Sequence, residues 1–137
     1  MKTSITIGTT VNVPVEKVWD CWNTPEHIYQ WNNASPDWHT LAAKNDLRIG
    51  GRFSFTMAAK DGSFSFDFGG TYTEVILHQR ISYTMNDGRT AEVLFQANGN
   101  LTVISEMFEP ESINPAEMQQ AGWQAILNNF KRYTESI

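Results

Sequence analysis

"QQAGWQAILNNFKRY", residues 119–133, carries Trp123, Ile126, Leu127, Phe130 and Tyr133 at spacings of three and four. At about 100° per residue these side chains share one side of an α-helix. With Ala116 before them and Ile137 after, they form a stripe roughly 120° wide. A helix with a single apolar face must lay it on another layer of the fold. Gly122 stands inside this helix, where glycine costs about 1 kcal/mol relative to alanine. It is read as a point of close approach that lets Trp123 swing across a neighbouring element; the alternative is that it opens the mouth of a cavity. The helix is predicted to start near Pro115, with Asn114 as N-cap and Glu117 completing a capping box.

What precedes the helix reads as strands. "RFSFTM" alternates Phe53, Phe55 and Met57 against Arg52, Ser54 and Thr56. Asp61-Gly62 is a hairpin signal, and beyond it Phe64, Phe66, Phe68 and Tyr72 share a face opposite Ser65, Asp67, Thr71 and Thr73. "RISYTM" repeats the pattern, Asp87-Gly88 turns the chain, Val93, Phe95 and Ala97 continue it, and Asn98-Gly99-Asn100 turns it into "LTVISEMF". "WHTLAAK" is a weaker strand candidate. At the start, Ile5, Ile7, Val11 and Val13 face one way along a strand that Pro14 ends. "VEKVWDCW" then places Val15, Val18, Trp19 and Trp22 on a short helix, and Thr24-Pro25 opens a second one through Trp31. The order is strand, two short helices, antiparallel meander, long helix. This is an α+β chain whose aromatic strand faces and last helix must meet, most simply as a curved sheet gripping the helix.

Composition narrows the function classes. The 137 residues suffice for one domain, 1–137, and 41% of them are apolar. A net charge of −5 argues against nucleic acid or an anionic membrane as partner. "MKTSITIG" has no apolar run that would make a secretion signal or anchor, so a cytoplasmic location is expected. The single Cys21 is read as a packing residue. His27, His39 and His78 stand on different elements without a second ligand at metal spacing, so neither metal nor cofactor is expected.

Several pieces, in this order along the chain, resemble a known family: "VPVEKVWDCWNTPEHIYQW", "RIGGRF", "FGGTYTEV", "ISYTM" and "GWQAILNNFKRY". Together they resemble the START/SRPBCC helix-grip superfamily, in the branch related to the activator of heat-shock-protein-90 ATPase. The resemblance implies a helix-grip fold with a cavity between the curved sheet and the C-terminal helix. Eight Phe and five Trp agree with that independently, because stiff aromatic walls leave gaps that flexible side chains would fill.

The leading expectation is a protein that binds a small, largely apolar and aromatic molecule. Phe53, Phe55, Phe66, Phe68, Tyr83, Phe95, Trp123, Leu127 and Phe130 would line the cavity, with Trp38 near its entrance. Trp22 and Trp31 are read as pinning the two short helices under the long one. An enzyme of cyclase or hydrolase type is the alternative, with Glu74 or Glu106 as acid or base beside Tyr72 or Tyr83. Glu74 joins the aromatic face if its strand keeps register, and points to solvent if a bulge at Gly69-Gly70 shifts it. Glu106 has the same two options, since "TVISEMF" alternates poorly. Arg48, Arg52 and Arg89 are read as surface residues that could also clamp an acidic group. A chaperone partner ranks third, because the outer strand faces lack a large apolar patch.

Overall fold

Alternating strands can bury one face only by curling over a second layer, and the chain does so with the last helix. The computed structural model describes residues 4–137. Its elements are β1 (Ile5–Val11), α1 (Val15–Asn23), α2 (Pro25–Trp31), β2 (Trp38–Asn45), β3 (Arg52–Ala59), β4 (Ser65–Ile76), β5 (Arg80–Met85), β6 (Thr90–Asn98), β7 (Leu101–Phe108) and α3 (Ala116–Ser136). The strands form one antiparallel seven-stranded sheet in the order β1-β7-β6-β5-β4-β3-β2. Strands β2 to β7 are a meander, and β1 closes the edge beside β7, with Ile5 opposite Phe108 and Val11 opposite Thr102. This is the helix-grip arrangement expected from the element order.

Two irregularities bend the sheet. In β2 the register shifts between Thr40 and Ala42, leaving Leu41 exposed; this bulge is why "WHTLAAK" alternates poorly. In β4 it shifts between Tyr72 and Glu74. The slip therefore lies at Thr73 and not at Gly69-Gly70, where pairing with β3 runs unbroken. Those glycines answer to crowding: a Cβ on Gly70 would sit 2.4 Å from the Thr84 carbonyl oxygen, and one on Gly69 would sit 2.7 Å from that of Phe53.

Polar side chains tie α3 down along two lines. On one flank Lys131 Nζ donates to the Thr10 carbonyl at 2.7 Å and Gln124 Nε2 to that of Gly8 at 3.2 Å, which fixes the helix along β1. On the other, Asn129 Nδ2 donates to the Trp31 carbonyl at 3.1 Å and to Asn33 Oδ1 at 2.9 Å, which fixes it to the end of α2. Between these lines Leu127 and Phe130 are buried. Trp22 and Trp31 both meet the Phe130 ring edge-on, at 4.8 and 4.9 Å, so the two short helices are pinned beneath the long one. Cys21 is buried in the same region.

The helix departs from expectation at both ends. Ala116 and Ile137 are exposed and take no part in the seated stripe. The N-cap is Pro115, with no side-chain cap. Gln119 stands in for the capping box: its Nε2 donates to the carbonyls of Glu111 (3.0 Å) and Asn114 (2.8 Å), and its Oε1 accepts from the Glu111 N–H at 2.9 Å. Gly122 is a further correction. A Cβ there would meet nothing within 4 Å, so no close approach requires the glycine.

Candidate functional site

Because α3 is held along β1 and α2, it stands away from the middle of the sheet. The space left is a cavity of about 530 Å³. Its sheet wall is Phe53, Phe55 and Met57 of β3, Phe66, Phe68 and Tyr72 of β4, Ile81 and Tyr83 of β5, and Glu106 of β7, with Phe64 just before β4. Trp123, Ile126 and Leu127 of α3 form the roof, with Gln119, Asn114 and Glu111 at its N-terminal end. Trp22, Asn23, Trp31 and Asn32 close the side under α1 and α2, and Arg89 reaches in from the β5–β6 turn.

The aromatic rings support one another. Phe53 packs on Phe55 (5.3 Å), Phe68 (5.7 Å), Tyr72 (5.2 Å) and, edge-on, Tyr83 (4.9 Å). Trp123 stacks on Phe108 with centroids 3.9 Å apart and meets Phe68 edge-on at 5.9 Å. Such mutually braced rings hold a preformed hollow open.

Of the residues singled out in the sequence, Phe53, Phe55, Phe66, Phe68, Tyr83, Trp123 and Leu127 border this cavity. Three others stand apart from it. Phe95 packs edge-on against Trp19 at 5.2 Å and Trp22 at 5.6 Å, within the solid end of the core. Phe130 is fully buried between Trp22 and Trp31. Trp38 is not itself a lining residue, but packs against Phe64 (6.1 Å) and Phe66 (5.8 Å), two exposed rings that do line the cavity.

The two carboxylates part company. Glu74 pairs in register with Ser82, on the outer face, because the shift at Thr73 rotates the strand past Tyr72. It lies 3.9 Å from Arg80, which also meets Glu92 at 2.5 Å, and so Glu74 is not a cavity group. Glu106 points inward: in β7 the buried residues are Thr102, Ile104, Glu106 and Phe108. Its neighbours in register are Ile7 and Val93, both apolar, and burial pushes its carboxyl up to about 8. Tyr83 is raised well above the ordinary phenol range by burial and, secondarily, by Glu106. The Tyr72 hydroxyl donates to the Asn45 carboxamide oxygen, and burial raises it as well.

Arg48 is taken up by Asp46 at 2.9 Å, and Arg52 donates to Asn86 at 3.1 Å. Arg89 is held by Asp87 at 2.7 Å and by the Glu109 carbonyl at 3.1 Å. Among the described residues no group of three His, Cys, Asp or Glu gathers in a metal-binding arrangement. Among the same described residues, no helix is long and apolar enough to cross a membrane.

Sequence reasoning passed over Asn32, Asn114 and Gln119 as site residues. Met57 could have been found, since it alternates with Phe53 and Phe55. Asn32 gave no signal: it lies just past α2 and is drawn inward because its carbonyl accepts from Thr40 Oγ1 at 2.7 Å.

The family model described as "Activator of Hsp90 ATPase homolog 1-like protein" matches residues 12–135. The solution structure of an AHSA1-like protein from Aeromonas hydrophila is 47% identical, with a TM-score of 0.91 over 98% of this chain and 93% of that one. A protein from Cytophaga hutchinsonii is 56% identical, with a TM-score of 0.84 over 97% of this chain and 92% of that one. A crystal structure from Chromobacterium violaceum shares the fold at 20% identity, with a TM-score of 0.87 over 97% of this chain and 98% of that one. No curated protein matches the sequence.

Proposed function

We propose, from the premise that the chain belongs to the family of activator of Hsp90 ATPase homolog 1-like proteins, that it binds a small, flat, largely apolar molecule between sheet and helix. One observation carries this reading: a cavity of about 530 Å³ walled by braced aromatic rings, with a few polar groups among them. That volume lies in the ordinary range for small-molecule sites, which are mostly apolar with few, well-placed polar groups. Burying about 200 Å² of apolar ligand surface would supply roughly 5 kcal/mol before the costs of association.

Three of the five tryptophans, Trp22, Trp31 and Trp123, border the cavity, so intrinsic fluorescence reports on occupancy. Titration with a panel of planar hydrophobic compounds is expected to give a saturable change for some members. A flat response across the whole panel would count against the reading.

A second reading is favoured by the inward position of Glu106. A carboxyl in the cavity wall that burial raises to about 8 can pass a proton to or from a bound molecule. It requires turnover of a bound compound that Glu106→Gln abolishes while binding persists; equal turnover in both proteins would remove Glu106 from that role.

A further inference from the structure

Three polar groups in the cavity wall lack partners. Asn32 is only 8% exposed, and its Nδ2 is buried without a hydrogen bond. Among the described residues, no hydrogen bond engages the Glu106 carboxyl or the Tyr83 hydroxyl either. Buried polar groups without partners are rare in folded proteins, and each is a point at which an occupant can be recognised.

Their positions are separate. Asn32 sits beside β2, at one flank of the sheet, whereas Glu106 lies on β7, next to the opposite edge strand. Tyr83 stands on β5 between them, with its ring edge-on to Phe53 of β3 at 4.9 Å.

The character of the Glu106 group follows from what surrounds it. Its strand neighbours Ile7 and Val93 carry no charge. Among the described residues Arg89 is the one cation bordering the cavity, and it is engaged by Asp87 and the Glu109 carbonyl. Glu111 accepts from the Asn114 N–H at 2.7 Å, and Tyr72 is bonded to Asn45. The helices face the cavity with neutral side chains, including Trp22, Trp31, Trp123 and Leu127. With no cation among the described residues against it, Glu106 keeps its proton near neutral pH and presents an O–H donor.

We propose that the cavity selects a planar carbonyl compound with acceptor oxygens on two opposite edges. One oxygen is received by the Glu106 carboxyl, and the other by the Asn32 amide. This rests on the cavity-binding reading and adds the chemical class of the ligand. A cationic amine is the opposite case, since it would bind the ionised carboxylate and release the Glu106 proton.

Shape-matched probes separate these cases: anthracene with no acceptor, anthraquinone with two carbonyls on opposite edges, and aminomethylanthracene with a cation. At pH about 6, anthraquinone is expected to bind roughly tenfold or more tighter than anthracene. That advantage is expected to shrink by pH about 9, as Glu106 ionises. Glu106→Leu is expected to reduce the advantage at both pH values. Glu106→Gln, which keeps an N–H donor, is expected to retain it and to lose its pH dependence. Asn32→Leu is expected to weaken anthraquinone and leave anthracene unchanged. Equal affinity for anthraquinone and anthracene would overturn the carbonyl assignment while leaving cavity binding intact. Aminomethylanthracene binding that strengthens with pH would overturn it in favour of a cationic ligand. Binding of none of the three would contradict the cavity reading and this assignment together.

Discussion

The indole of Trp123 lies flat on the ring of Phe108, with centroids 3.9 Å apart and planes 7° from parallel. Phe108 is the fully buried last residue of β7, and Trp123 stands in the second turn of α3. The stack therefore joins sheet to helix where the chain passes from one to the other. Trp123 also leans edge-on against Phe68 of β4, at 5.9 Å, so one side chain braces the roof of the cavity against two separate strands.

Trp123→Ala is expected to destabilise the fold by about 2–4 kcal/mol, through lost burial and the void it leaves. Trp123→Phe, which keeps a ring on Phe108, is expected to lose less than half of that. Urea denaturation of both variants measures the difference. Equal losses would mean that stacking is not what the site requires.

Gly122→Ala is expected to stabilise the protein by about 0.5–1 kcal/mol. A Cβ at that position meets nothing within 4 Å, and alanine is the better helix former. Thermal denaturation would show a small rise in Tm. A fall would place another group against the helix at this point.

Glu106 makes stability depend on pH. Its carboxyl ordinarily titrates near 4.5 and is raised to about 8 by burial in the folded protein. Between those values the native state holds a proton that the unfolded chain has lost, so stability is fully present below the lower value. It falls at roughly 1.4 kcal/mol per pH unit as pH rises toward the upper one. Glu106→Gln is expected to flatten this decline and to be more stable than the parent at pH about 8. Parallel stability curves for parent and variant across the range would contradict it.

Glu74→Gln is expected to change stability by no more than about 0.5 kcal/mol, because its pairing with Arg80 is long and partly solvated. Binding of any cavity ligand is expected to stay the same. A loss of binding in this variant, measured by calorimetry, would return Glu74 to the inner face.

The fold was legible wherever the period of the apolar residues was strong. The stripe of α3, the alternation of β3, β5 and β6, and the Asp-Gly and Asn-Gly turns each point to one local structure, and together they leave few ways to assemble. The β4–β5 turn was opaque for a physical reason. It is built from Leu77, His78 and Gln79, with His78 in the left-handed region at φ 62° and no glycine to announce it. Register was the second blind spot. Glu74 and Glu106 each stand near the end of a strand with apolar and polar residues mixed, and a single-residue shift at Thr73 turns one outward while unbroken pairing with β1 and β6 turns the other in. Side-chain alternation reports a strand's period, whereas the partner strand decides where that period slips. The aromatic wall was likewise visible as residue type, yet Phe95 and Phe130 went to the solid part of the core. Which rings border a hollow depends on where α3 is anchored, and Lys131, Gln124 and Asn129 settle that through polar contacts far apart in sequence.

Amide and side-chain chemical-shift mapping during titration with anthraquinone asks whether the hollow between sheet and helix is where a flat molecule lodges. Saturable shifts are expected at Phe53, Phe68, Tyr83, Glu106 and Trp123, with the outward-facing Ser82 and Glu92 unmoved. Shifts confined to the outer face, or none at concentrations that saturate the tryptophan signal, would contradict a binding site in the cavity.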